Sequence, residues 1–123
     1  MWMTDYHVVM HIDWSSIPAE QLSLLIDRQF INTAGVTVAR FFLRKGASVP
    51  EHKHHNEQVA FVLSGKMRFT MDGKSITLDP GETLCIPPNV PHSAEALEDT
   101  IDLDVFTPPR ADWAAKDDAY LRR

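Results

Sequence analysis

Four side chains in the middle of the chain carry atoms that bind transition metals: His52, His54, Gln58 and His92. A single residue separates His52 from His54, so on an extended strand both imidazoles point to the same face. Gln58 opens the next apolar run, and His92 follows a proline-rich loop. Because imidazoles are common ligands of divalent transition metals and the amide oxygen adds a fourth donor, the spacing predicts a metal site.

Short strands are the elements expected to position these residues. Met67, Phe69 and Met71 alternate with polar residues, and Asp72-Gly73 supplies a tight hairpin turn. Similar runs predict strands over 36–43, 59–63, 75–78, 82–86 and 101–106, with helix confined to 17–26 and 111–121. Many short strands separated by Gly and Pro indicate an all-β sandwich or barrel.

Length and charge limit the possible partners. A chain of 123 residues holds one core, so a single domain over 1–123 is expected. The net charge of −5, without a Lys/Arg cluster beyond the last two residues, argues against nucleic acid or a membrane surface as partner. The first residues lack the pattern of a secretory signal, which predicts a cytoplasmic location. A small molecule is the expected partner, and an anionic one requires a local cation such as Arg110 or the metal.

Two motifs that follow one another along the chain resemble the two motifs of the cupin family. The first is formed by Gly46, His52, His54, Gln58 and Gly65, and the second by Pro80, Gly81, Pro87, Asn89 and His92, with Asn89 where cupins usually have Gly. The resemblance implies a double-stranded β-helix of the jelly-roll type, with a barrel core at 34–108 and short N- and C-terminal extensions. It also implies a homodimer and one divalent transition metal (Ni, Zn, Mn or Fe) in each barrel.

The cupin motif usually carries Glu where this chain has Gln58. A neutral amide oxygen leaves the full dipositive charge on the ion, which strengthens the ion as a Lewis acid and lowers the pKa of bound water. The donor set therefore favours acid–base or isomerase chemistry over dioxygen chemistry at iron. A one-residue slip or bulge would make the neighbouring Glu57 the ligand instead, and the sequence leaves both choices open.

A closer resemblance covers residues after the second motif. The run from Asp104 to Arg110 is similar to the end of the small KdgF-type cupins, which convert 4,5-unsaturated monouronates from pectin or alginate to an open-chain keto form. By position, this resemblance implies catalytic roles for Asp104 as general acid or base, Phe106 as a stacking surface and Arg110 as a partner of the sugar carboxylate. The chain is then predicted to be a metal-dependent, isomerase-type enzyme acting on an anionic sugar acid.

The last predicted strand has two possible registers. Asp102 and Asp104 alternate with Leu103 and Val105, and a simple amphipathic strand would place the aspartates in solvent. The functional register places Asp104 and Phe106 inside the barrel, so that the two aliphatic residues lie outside and require cover from another layer or a dimer partner. We favour the functional register because Phe106 shares a face with Asp104 and is rarely a solvent residue.

Two other functional classes remain open from the sequence. One is a metal-dependent dioxygenase or lyase acting on a small organic substrate, for which bound iron and oxygen consumption would be diagnostic. The other is a non-catalytic sugar-binding cupin, although the chain offers no basic face or DNA-binding segment as its output. Other notable side chains are given no chemistry: Cys85 is expected in the core, His55 in solvent or near the metal, and Trp14, Trp113 and Tyr120 in packing or interfaces.

Overall fold

Antiparallel strands dominate the structure, a computed structural model that describes residues 9–122. The strands are β1 (Glu20–Gln21), β2 (Ile26–Asn32), β3 (Thr37–Leu43), β4 (Ser48–His52), β5 (Glu57–Ser64), β6 (Met67–Met71), β7 (Lys74–Leu78), β8 (Thr83–Ile86), β9 (His92–Ala96) and β10 (Thr100–Thr107). One short helix, α1 (Ala111–Ala114), and 3₁₀ turns at Trp14–Ser16 and Ala119–Leu121 complete the described residues. None of the helices within 9–122 is long and apolar enough to cross a membrane.

The strands form two sheets whose order does not follow the chain. The larger sheet has six strands in the order β1-β2-β3-β10-β5-β8, and the smaller has four in the order β4-β9-β6-β7. The chain therefore crosses repeatedly between the sheets, and the late strand β10 lies between β3 and β5. This arrangement confirms the predicted all-β jelly roll.

Strand β10 has the register that the functional interpretation required. Asp102, Asp104 and Phe106 are buried, whereas the residues between them are only half-buried on the outer face. The same alternation runs through β3, where Ala39 and Phe41 face inward. The inward-facing side chains of these two strands thus form one wall of a common core, and Asp104 is one of them.

The turn between β5 and β6 requires a glycine. Gly65 has a φ of +91°, a backbone conformation that residues with a Cβ rarely adopt. A Cβ placed there would collide with the Asp99 carbonyl oxygen and the Thr100 hydroxyl. This close approach holds the start of β10 against the β5–β6 turn and so fixes where β10 enters the barrel.

Three local predictions are corrected by the structure. The helix over 17–26 is absent, because residues 20–21 pair with β2 and Glu20 forms an ion pair with the buried Arg28 at 2.7 Å. The helix over 111–121 shortens to α1 and a 3₁₀ turn, separated by Lys116 at a φ of +63°. Cys85 is exposed on β8 instead of lying in the core.

Candidate metal centre

Three imidazoles converge at one end of the barrel. His52 ends β4 and lies directly opposite His92 on the neighbouring strand β9, with ring centroids 4.4 Å apart. His54 follows β4 in a loop, and its ring centroid is 5.1 Å from that of His92. One ligand atom from each of the three lies within 4.8 Å of the others. The predicted histidines are therefore brought together.

Backbone carbonyls fix the orientation and tautomer of each ring. The Nδ1 atoms lie 2.9 Å from the Pro50 oxygen for His52, 3.0 Å from the Asn56 oxygen for His54 and 2.8 Å from the Val90 oxygen for His92. Because a carbonyl oxygen only accepts, each Nδ1 carries the proton and each Nε2 presents a lone pair. Such outer hydrogen bonds are typical of histidines that bind metals.

Gln58 enters the same centre from the other sheet. Its Oε1 atom lies 3.1 Å from the His54 Nε2 atom, and both atoms are acceptors in this tautomer. Two neighbouring ligand atoms that each lie about 2.1 Å from one ion are about 3 Å apart. A cation bound to both atoms would therefore explain why two acceptors lie so close together. Glu57, in contrast, is exposed on the opposite face of β5. Of the two residues left open by the sequence, the structure places Gln58 in the centre.

The electrostatic surroundings keep the histidines neutral. Burial, together with the nearby imidazoles and Arg110, lowers the pKa of His52 and of His54 to about 4. Burial also lowers the pKa of His92, whose Nε2 atom is buried without a hydrogen-bond partner among the described residues. Neutral imidazoles with unpaired Nε2 lone pairs are the form that binds metal. The donor set therefore fits a divalent transition-metal ion.

Two buried carboxyl groups on β10 lie in the same cavity. Burial raises the pKa of Asp104 to about 6 and raises that of Asp102 well above its ordinary value. The neighbouring Asp104 carboxyl raises the pKa of Asp102 further, so Asp102 is the member of the pair that more strongly favours the protonated form. Asp102 had no assigned role in the sequence analysis, although its position two residues from Asp104 was a usable signal.

Arg110 reaches the cavity, but its charge is already paired. Its Nε and Nη2 atoms donate to the two carboxylate oxygens of Asp112 at 2.9 and 2.6 Å, and Nη2 also donates to the Tyr120 hydroxyl at 2.6 Å. The guanidinium lies over the rings of Phe106 and Trp113 at 4.7 and 4.5 Å. Within residues 9–122 the Nη1 atom makes no hydrogen bond, so that edge remains for a ligand.

The loop that carries Arg110 is tied to the histidine loop. The Asn56 side chain, only 1% exposed, donates to the Pro108 oxygen at 2.5 Å, while its backbone oxygen accepts from His54. The Arg110 backbone N–H donates to the Thr37 hydroxyl at 2.8 Å. Asn56 therefore fixes the position of His54, a candidate metal ligand, relative to the loop that carries Arg110, the candidate partner of the substrate. No local sequence pattern predicts this role.

An inner cavity of about 50 Å³ lies among these groups. Its lining includes His52, Gln58, His92, the two aspartates, Phe106 and Arg110, together with Trp113, Tyr120 and Leu121 from the C-terminal segment. The Tyr120 ring stacks on His52 with centroids 4.5 Å apart and an interplanar angle of 28°. Trp113 packs in the core as predicted, and both Trp113 and Tyr120 also line the cavity, a contact with the site that the sequence analysis did not assign to them.

Comparison with known proteins supports the same family. The family model for the cupin domain matches residues 39–107. The pectin degradation protein KdgF of Dickeya dadantii is 29% identical over 99 residues, covering 78% of this chain and 90% of that protein. The structure of KdgF from Halomonas sp. superimposes with a TM-score of 0.81 at 24% identity, covering 86% of this chain and 99% of that one. An RmlC-like cupin from Shewanella frigidimarina gives a TM-score of 0.76 at 25% identity, covering 89% and 96% of the two chains.

Proposed function

The chain belongs to the cupin family, and from that premise we propose that it is a metal-dependent enzyme that converts a 4,5-unsaturated monouronate to its open-chain keto form. One observation carries the proposal: His52, His54 and His92 bring one nitrogen each within 4.8 Å of one another, and the cavity that His52 and His92 line also holds Asp104 and Arg110. The similarity to a pectin degradation protein supports this substrate class.

His52, His54, Gln58 and His92 would hold one divalent transition metal. When bound, such an ion supplies Lewis acidity at the ring oxygen or hydroxyl groups of the sugar. All four donors are neutral, so a bound ion would keep its full charge inside a chain whose net charge is −5. That charge gives an anionic substrate a local attraction that the overall field of the protein lacks.

Asp104 is the proposed acid–base group. As a carboxylate it takes the proton of the anomeric hydroxyl; the C1–O bond to the ring oxygen then breaks, giving an aldehyde at C1 and an enolate at C5. Returning that proton to C4 converts the enolate to the ketone, so the reaction is an isomerisation with no other reactant. A pKa of about 6 suits both halves of this transfer near neutral pH.

The substrate carboxylate would approach the Nη1 edge of Arg110. The opposite edge is held by Asp112, which positions the guanidinium while cancelling much of its charge. Arg110 therefore acts more through hydrogen-bond direction than through net charge. Phe106, 2% exposed and beneath the guanidinium, offers its ring edge to the sugar or supports Arg110 from below.

We also propose a homodimer formed through the outer face of the six-stranded sheet. Ile31, Val38, Val105 and Val59 form one row across four adjacent strands, ending at the exposed Cys85. In the next row Leu103 lies beside Phe61. A contiguous apolar sheet face of this kind is typical of association surfaces. The cytoplasmic location expected from the sequence stays a prediction.

Product analysis in D₂O tests the reaction. Metal-loaded protein under argon should convert 4,5-unsaturated galacturonate to the open-chain keto acid with loss of the vinyl proton signal and deuterium at C4. Asp104→Asn should slow this conversion by at least about 100-fold, because the proton transfer loses its acid–base group. Conversion that requires oxygen, or a product other than an isomer, would contradict the proposal.

A further inference from the structure

A larger pocket lies next to the inner cavity, on the outside of the barrel. This outer pocket encloses about 390 Å³ and is lined by Lys53, His54, His55, Asn56, Asp112 and Asp117 together with three shared residues. His52, Arg110 and Tyr120 line both spaces, so these side chains form the wall between them. The inner cavity, about 50 Å³, has room for a few waters, whereas sites for small organic molecules enclose roughly 300–1,000 Å³.

Tyr120 is the least anchored part of that wall. His52 is fixed by its backbone hydrogen bond to Pro50, and Arg110 is 2% exposed and paired with Asp112. Tyr120 is only half-buried and is held by stacking on His52 and by the hydrogen bond from Arg110 at 2.6 Å. The Trp113 N–H lies farther away, at 3.5 Å from the hydroxyl.

The residues around Tyr120 hold the backbone in place. Leu121 is 5% exposed and Trp113 is 2% exposed, and both pack into the core. Asp118, 1% exposed, accepts from Arg28 at 2.9 Å and from Arg122 at 2.9 Å. Lifting the whole segment would expose these apolar groups and break buried ion pairs, whereas rotating Tyr120 breaks only its own contacts.

We propose that Tyr120 is the gate of the metal site, and that the inner cavity joins the outer pocket when its side chain swings off His52. The opening frees the Nη2 atom of Arg110 from the Tyr120 hydroxyl while Asp112 keeps the guanidinium in position. A molecule too large for the inner cavity then reaches His92 and Asp104 from the outer pocket. This gate concerns access to the cavity, and so it stands or falls independently of the uronate proposal.

Carbethoxylation of histidine by diethyl pyrocarbonate tests the gate on the full-length chain with metal removed by a chelator. The reagent is close to a monosaccharide in size and attacks neutral imidazole nitrogen. His92 is the reporter because it is 3% exposed and lines only the inner cavity. The exposed His55 in the outer pocket is the internal reference. The ratio of the two rates is measured by mass spectrometry.

Tyr120→Ala should raise the His92 to His55 ratio by at least about tenfold, because a minor open state usually holds 10% of the population or less. Tyr120→Phe keeps the ring but loses the Arg110 hydrogen bond, and it should raise the ratio by a smaller factor. Both variants must retain the wild-type circular dichroism spectrum. Tyr120→Phe serves as the test if Tyr120→Ala does not fold.

Asp118→Asn separates a side-chain gate from movement of the whole segment. This variant weakens the anchor of the segment but leaves Tyr120 unchanged, so its ratio should stay within about twofold of wild type. The proposal is overturned if the Tyr120 variants leave His92 protected. It is equally overturned if Asp118→Asn exposes His92 as much as Tyr120→Ala does.

Discussion

At the scale of single residues, the choice between an amide and a carboxylate sets the character of the candidate metal centre. Gln58 and Glu57 are adjacent, and strand alternation sends only Gln58 inward. Glu57 stays exposed and leaves the centre without a carboxylate ligand. The sequence could not settle this choice, because the register of β5 depends on its pairing with β8 and β10.

Gln58→Glu should tighten binding of a divalent metal by at least about tenfold, since a charged ligand replaces a neutral one. The same charge weakens the ion as a Lewis acid, so turnover of the unsaturated uronate should fall by roughly tenfold. Isothermal titration with Zn²⁺ and initial rates check the two effects. Glu57→Gln is the matched control and should change neither quantity, whereas tighter binding by wild type than by Glu57→Gln would identify Glu57 as the ligand.

Asp102→Asn should stabilise the fold increasingly as pH rises. Burial raises the pKa of Asp102 in the folded state above its unfolded value, so the folded state binds more protons than the unfolded state. Because the unfolded state releases this proton near pH 4, the stability of the fold decreases as the pH rises above about 4. Replacing Asp102 by a neutral amide removes that loss, by roughly 1–3 kcal/mol at pH 8, and changes little below pH 4. Urea unfolding across this range provides the measurement, and an equal difference at all pH values would argue against a buried, protonated Asp102.

At the scale of elements, local patterns identified most of the barrel strands. The alternation of Met67, Phe69 and Met71 predicted a strand where β6 forms, and the Asp72-Gly73 turn joins it to β7. The inward position of Asp104 needed an extra argument from Phe106, because alternation alone fits either register. Functional residues on a strand can look like solvent residues when the cavity that they face is polar.

The secondary structure of the terminal segments was predicted poorly because contacts with residues far away in the sequence determine it. Glu20 and Asp118 both pair with Arg28, and Asp118 is 90 residues away from it in the chain. No local periodicity encodes these ion pairs, so an apolar spacing at 17–26 suggested helix where β1 forms. The same long-range anchor places Tyr120 on His52, which explains why Tyr120 was absent from the predicted site.

Gly65→Ala should destabilise the fold by more than about 3 kcal/mol, because it combines a disfavoured φ with a collision against the start of β10. Gly81→Ala is the matched control: its φ of +88° is similar, but a Cβ there meets open space. This control should lose only about 1 kcal/mol. Chemical denaturation of both variants measures the difference, and equal losses would show that close packing at Gly65 contributes nothing.

At the scale of the whole molecule, the candidate site and the apolar rows lie on opposite faces of the six-stranded sheet. The inner face contributes Gln58, Asp104 and Phe106 to the site, and the outer face presents aliphatic rows. Placing Asp104 inside therefore places Leu103 and Val105 outside. The proposed acid–base group inside the barrel and the proposed association surface outside it are both consequences of one strand register.

Leu103→Lys should shift the proposed dimer toward monomer while leaving the fold intact, because an unpaired charge would be buried at the centre of the association surface. Light scattering coupled to gel filtration measures the mass. Arg68→Lys, on the smaller sheet and within an exposed ion pair with Glu95, is the control and should leave the mass unchanged. A wild-type chain that elutes as a 13.9 kDa monomer at all concentrations would contradict the dimer.

The central claim is that the neutral four-ligand centre drives ring opening of an unsaturated uronate. The most direct measurement is the anaerobic loss of near-UV absorbance of 4,5-unsaturated galacturonate, compared among metal-loaded wild type, His52→Ala and buffer alone. The proposed function predicts a wild-type rate at least about 100-fold above that of His52→Ala, together with metal bound by wild type. A wild-type rate equal to that of buffer, in protein with a full complement of metal, would contradict it.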